Sequence, residues 1–131
     1  SYVEFRLQSE ASESIYINAI EDFIEFYGKY LKEDTEPMLN IISFREKYSA
    51  EIVFFVFLRS KHRPSRYFSE GDDHMIISPA SVDVGGKIIT PRKEDFEKID
   101  EQIIADIYKE VFIPGEQLTG IFEQYKKHLR I

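Results

Sequence analysis

The sequence predicts an α+β fold: an antiparallel sheet of about five strands carrying three to four helices, in a single domain over residues 1–131. Three observations carry that expectation. The run Ile52, Val53, Phe54, Phe55, Val56, Phe57, Leu58 is apolar without alternation, as a strand covered on both faces must be, so it reads as central. A second apolar run, Met38 to Phe44, precedes it across a linker containing Glu46, Lys47 and Ser49. A parallel crossover needs about a dozen residues, so the two runs pair antiparallel. Helical spacing stands before this pair and after it rather than between strands, which is the α+β arrangement, with the helices expected on one face of the sheet.

Taken in order, Tyr2, Val3, Phe5 and Leu7 mark a first strand. From about residue 14 to 31, Tyr16, Ala19, Ile20, Phe23, Tyr27 and Tyr30 recur at three- and four-residue steps, with Asn18, Glu21, Asp22, Glu25 and Lys29 on the other side. That is an amphipathic helix whose aromatic stripe is core. Residues 32–37 form a polar break ending at Pro37. After the central strand comes a loop from about Ser60 to Asp73, then two short expected strands, Met75 to Ile77 and Lys87 to Thr90. Between those strands Pro79, Gly85 and Gly86 shape a turn; the glycine pair lacks the spacing and the lysine of a phosphate loop. Pro91 stops the second of them, and Glu94 to Ile99 makes a helical turn. Asp100 is an N-cap for a helix carrying Ile103, Ile104, Ile107, Tyr108 and Val111. Pro114 opens a last helix with Leu118, Ile121, Phe122, Tyr125 and Leu129 on one face.

Composition excludes several classes of function. With 43% hydrophobic residues the chain builds a real core and is not disordered. It has no apolar run near the ~20 residues of a spanning helix and no signal-like start, and its lack of cysteine suits a reducing compartment, so we expect a cytoplasmic protein. Without cysteine there is no thiolate zinc site, and His62, His74 and His128 are too scattered to share an ion, so no metal site and no cofactor is expected. An excess of 24 acidic over 17 basic residues argues against a general grip on nucleic acid. The chain begins without methionine on a strand-like segment, from which we expect a piece of a longer protein.

Against that acidic background, Arg59, Lys61, His62, Arg63 and Arg66 crowd the end of the central strand, followed by Tyr67. Local positive charge at a strand end is what a phosphorylated small molecule needs, and arginine's planar fork offers paired charge-assisted bonds. Charges flanking an apolar strand also act as solvated gatekeepers against edge aggregation. Arg92, beside Pro91 at a strand end, is a further phosphate candidate. Histidine as a residue type changes charge near neutral pH, which leaves general acid chemistry at position 62 open beside anion contact and structural hydrogen bonding. Asp72, Asp73, Asp83, Glu94 and Asp95 are the raw material for a carboxylate enzyme, although such residues in loops and first turns are commonly caps.

The segments Lys61-His62-Arg63-Pro64-Ser65-Arg66-Tyr67-Phe68-Ser69-Glu70-Gly71 and Ile77-Ser78-Pro79-Ala80-Ser81-Val82-Asp83-Val84-Gly85-Gly86, then Ile89-Thr90-Pro91-Arg92-Lys93-Glu94-Asp95-Phe96, carry a resemblance, as does Glu36-Pro37-Met38-Leu39-Asn40-Ile41 before the hairpin. They resemble an uncharacterised bacterial family distantly related to ATP adenylyltransferases (diadenosine tetraphosphate phosphorylases), in the histidine-triad and galactose-1-phosphate uridylyltransferase superfamily, over roughly residues 36–113. The resemblance implies a histidine-triad-like half and nucleotide or sugar-phosphate chemistry in the parent protein. In that superfamily an H-x-H histidine attacks phosphorus and carries the nucleotidyl group. This chain has no H-x-H, and Leu58 stands where the family tends to have proline.

The expectation is therefore a C-terminal accessory domain of a nucleotidyltransferase- or phosphorylase-like protein, not catalytic on its own. Arg59, Lys61, His62, Arg63, Tyr67 and Arg92 are its candidate phosphate or nucleotide contacts, made within the domain or across an interface with an N-terminal domain of the same protein. The alternative is a non-catalytic protein-interaction or anion-binding module whose basic loop docks an acidic partner. The first strand is the edge through which a homodimer would form. No nucleic-acid or membrane partner is expected.

Overall fold

The computed structural model describes residues 1–7, 13–32, 36–49 and 51–129. Residues 33–35 of the expected polar break, and the Tyr16 side chain of the expected helical stripe, lie outside the described residues. Strand β1 (Val3–Leu7) is followed by helix α1 (Glu13–Leu31), then by β2 (Leu39–Arg45) and β3 (Ile52–Leu58). Four helices complete the described chain: α2 (Ser81–Val84), α3 (Lys93–Lys98), α4 (Glu101–Val111) and α5 (Gly115–His128). Two 3₁₀ turns, Ser65–Tyr67 and Gly71–Asp73, punctuate the loop after β3.

The sheet has the order β1-β3-β2, with both pairings antiparallel, so the apolar run is central as expected. Register sets Val3 opposite Val56 and Leu39 opposite Leu58, which places Val3, Val56, Leu58, Leu39 and Ile41 on one face. That face packs on α1 and α5 through Phe23, Tyr27, Ile121 and Tyr125. Phe23 and Tyr27, one turn apart on α1, are 0% and 1% exposed, and each contributes about 2–3 kcal/mol by burial.

On the opposite face the helices gather around Phe57, and Val53 at the other end of the strand is buried too. Phe57 packs there on Met75, Ile77, Ile107, Val111 and Phe112. Helices consequently lie on both sides of the sheet, not on one face. Farther along, Phe55 holds the rings of Tyr2 at 4.6 Å and Phe44 at 5.5 Å, and both of those residues are more than two-fifths exposed.

The expected strands at Met75–Ile77 and Lys87–Thr90 do not form, so the described sheet has three strands rather than five. Side chains and loops take up the backbone donors that a ladder would need. Ile76 N–H donates to the Asp95 carboxylate at 3.0 Å, Ile89 N–H to Asp83 at 3.3 Å, and Met75 N–H to the Arg66 carbonyl at 3.0 Å. Gly86 takes φ +97° after α2, a backbone conformation that residues with a β-carbon adopt only under strain, which matches its reading as backbone shape. Asp100 caps α4 as expected, accepting from Ile103 N–H at 2.7 Å, and Pro114 immediately precedes α5.

Candidate functional site

Arg59 stands one residue past β3, where an antiparallel bridge to Phe112 ties the strand end to the α4–α5 junction. Its guanidinium is turned on the protein itself. Nε donates to the Lys61 carbonyl at 3.1 Å, Nη1 to Pro79 O at 2.6 Å and to Asn40 Oδ1 at 3.3 Å, and Nη2 to the His62 carbonyl. Burial lowers its pKa, and the Asp83 charge partly offsets that. One cation thus holds three separate segments: the end of the hairpin, the turn before α2 and the basic loop. Asn40, on β2 and buried, accepts from Arg59, while its Nδ2 has no acceptor in reach among the described residues.

Lys61 pairs with Glu110 of α4 at 2.7 Å. The same carboxylate oxygen accepts from Ser65 N–H at 3.0 Å and from the Ser65 hydroxyl. These donors, Lys61 first, hold the Glu110 carboxyl at about 2, well below its usual range. The loop backbone is therefore pinned from two sides. Pro64 is buried beneath it, and the His62 carbonyl takes a further bond from Ser78 Oγ at 2.9 Å.

The side chains of His62 and Arg63 remain exposed on that pinned backbone. Arg63 lies 4.0 Å over the centroid of the Tyr67 ring, which orients the guanidinium without neutralising its charge. A hollow of about 240 Å³ opens beside His62, lined also by Glu36, Pro37, Met38, Leu39 and Arg59. A larger groove of about 580 Å³ has Phe57, Val84, Tyr108, Lys109, Phe112 and Ile113 in its wall; none of the candidate residues lines it, and its apolar wall does not suit a phosphate.

Arg92 belongs to a different arrangement. It holds the fully buried Asp95 at 2.9 and 2.6 Å and reaches His74 O at 3.2 Å, which ties the start of α3 to the extended segment at 74–77. The Asp95 carboxyl is held below its usual range, chiefly by the Arg92 hydrogen bonds and also by Ile76 N–H. Asp83, also buried, accepts from Ala80 N–H and Ile89 N–H. Of the carboxylates that looked like catalytic material, Asp83 and Asp95 are thus committed to backbone amides and an arginine, while Asp72 and Asp73 are exposed and face Lys98 and Arg66.

The structure brings Arg59 and His62 to one hollow and sets Arg63 on Tyr67, with Lys61 drawn toward α4. Glu110, Ser65 and Asn40 are the partners that sequence reasoning missed. Glu110 had a signal: a carboxylate in the last turn of a helix opposes the helix dipole and calls for a cationic partner. Among the described residues no group of three or more His, Asp or Glu side chains could hold a metal ion, and no helix is long and apolar enough to cross a membrane.

No curated protein and no solved structure matches the chain at a significant level. A family model does, over residues 8–129, and spans both the hairpin and the basic loop. The chain belongs to the family described as GDPGP1-like, C-terminal domain.

Proposed function

We propose that this domain contributes phosphate contacts to a nucleotidyltransferase- or phosphorylase-like protein without supplying the nucleophile. The observation that carries the reading is the pinned loop, in which Arg59 and Glu110 fix the backbone while His62 lines a hollow and Arg63, next to it in the chain, stands exposed. A cation held in place before the ligand arrives loses less side-chain entropy on binding than a free one. His62 and Arg63 make the contacts in this reading, Tyr67 supports Arg63, and Arg59 and Lys61 shape the loop. GDPGP1 is a GDP-glucose phosphorylase in a histidine-triad and galactose-1-phosphate uridylyltransferase-like context, a setting compatible with phosphate contacts and with the ATP adenylyltransferase resemblance. The chemical step falls to groups outside this domain, since the sequence holds no H-x-H.

The test is isothermal titration with ATP, ADP and a sugar nucleotide at two salt concentrations. Binding that disappears in a His62→Ala, Arg63→Ala double variant, with an unchanged melting temperature, supports the reading. No binding by the wild type to any of the three removes it. A second reading, a protein-interaction module, draws on the half-exposed rings of Tyr2 and Phe44 that flank Phe55. It gains if the double variant keeps its nucleotide affinity and loses a protein partner.

A further inference from the structure

Three donors converge on one oxygen of Glu110: the Lys61 ammonium at 2.7 Å, the Ser65 amide at 3.0 Å and the Ser65 hydroxyl. An ammonium, a hydroxyl and an amide are also what a phosphoryl oxygen takes as partners. The carboxylate that holds them is part of the fold, hung from the last turn of α4, and its side chain is only 27% exposed. Of the other cations, Arg66 faces Asp73 at 3.6 Å, and Arg59 is committed to carbonyls of its own chain. Arg63 rests on a ring that takes none of its charge, and His62 is exposed beside it.

On the functional reading given above, we infer that Glu110 is a specificity-determining residue: it withdraws Lys61 and Ser65 from the ligand, so the loop meets an anion with Arg63 and His62 alone. The consequence is a preference for a single phosphate group over a polyphosphate. A polyphosphate needs more positive charge than two side chains supply, and the Glu36 carboxylate on the wall of the hollow repels the excess.

The test uses inorganic phosphate and tripolyphosphate as probes, titrated at two salt concentrations into the wild type, Glu110→Gln, and Glu110→Gln combined with Lys61→Ala. Glutamine keeps an acceptor for Ser65 and releases the ammonium. Glu110→Gln is expected to tighten tripolyphosphate binding about tenfold, with a steeper salt dependence and less than about threefold change for phosphate. The added Lys61→Ala should remove that gain. A purely structural Glu110 predicts the opposite sign, weaker binding of both probes as the loop loosens, and that result overturns the inference. So does a gain that persists without Lys61.

A second measurement needs no variant: acetylation of the wild-type lysines, followed by mass spectrometry with and without tripolyphosphate. Lys61 should react slowly and gain no protection from the probe; protection would show it already in contact with ligand and overturn the inference. If the wild type binds neither probe while Glu110→Gln binds through Lys61, the functional reading and the single-phosphate preference fall, and the withdrawal of Lys61 by Glu110 stands. If neither protein binds, both fall.

Discussion

Replacing Asp95 by asparagine isolates the buried ion pair from the rest of the fold. Asp95 Oδ2 accepts from Ile76 N–H at 3.0 Å and Arg92 Nε at 2.9 Å, while Oδ1 accepts from Arg92 Nη2 at 2.6 Å. Asparagine has the same size and keeps one oxygen. With that oxygen at the Oδ2 position, its amide group faces Arg92 Nη2, donor against donor. Losing a charge-assisted bond costs about 1.5–3 kcal/mol, and breaking a fully buried pair about 3–5 kcal/mol. The Arg92 side chain is 29% exposed and can recover some hydration, so about 2–3 kcal/mol is expected. For a domain of this size that lowers the melting temperature by about 8–12 °C. Urea unfolding at pH 7 should show the midpoint falling at constant m.

The pH dependence has a definite sign. The folded-state pKa of Asp95 lies below its unbound value of 3.8, so its stabilisation is present above that value and lost as pH falls through the folded pKa. The gap between wild type and variant should be full at pH 7 and close as pH falls below the ordinary carboxylate range and through the folded pKa. A loss under about 0.5 kcal/mol at pH 7, or a gap that widens in acid, would refute the reasoning.

Phe23→Ala removes a side chain that is 0% exposed between β1 and α5, and should cost about 3–5 kcal/mol in urea unfolding; a cost near 1 kcal/mol would mean the core collapses to fill the space. Tyr125→Phe deletes the hydrogen bond to Asp22 at 2.9 Å that links α5 to α1, and should lower stability by about 1 kcal/mol. The Tyr125 hydroxyl, pushed up chiefly by burial and then by Asp22, should resist ionisation in a spectrophotometric titration to alkaline pH. Arg59→Lys puts a point charge where a fork spans the carbonyls of Lys61, His62 and Pro79; it should lower stability by about 2 kcal/mol and weaken anion binding together, whereas an unchanged melting curve would show the loop held by other contacts.

Where burial periodicity decides a structure, this sequence was readable. The unalternating run 52–58 announced a central strand, and Asp100 announced a helix start, because local chemistry and tertiary context ask for the same thing there. The segments 75–77 and 87–90 pattern as strands but find no strand partner: Met75 and Ile77 are buried without pairing, and Ile89 is 60% exposed. Side chains satisfy their amides instead: Asp95, 19 residues on, takes Ile76 N–H, and Asp83, six residues back, takes Ile89 N–H. The basic cluster was visible as charge, but its division of labour was not. Whether an arginine faces a ligand or the carbonyls of its own chain depends on contacts 19 or 20 residues away, such as Asn40 and Pro79, and spacing carries no trace of them.

The central place of β3 has a kinetic consequence. Its pairing with β2 begins at Arg45 opposite Ile52, across a short turn, so closing that hairpin restricts few residues. β1 reaches the same strand only after the chain has laid down the 19-residue α1 and all of β2, and Leu7 then docks opposite the same Ile52. The entropy of that longer closure favours the hairpin as the early nucleus, with β1 zipping on last and leaving first. Native-state amide exchange should find β1 opening at a lower free energy than the β2–β3 ladder, and equal protection of the two would mean that the sheet forms in one step.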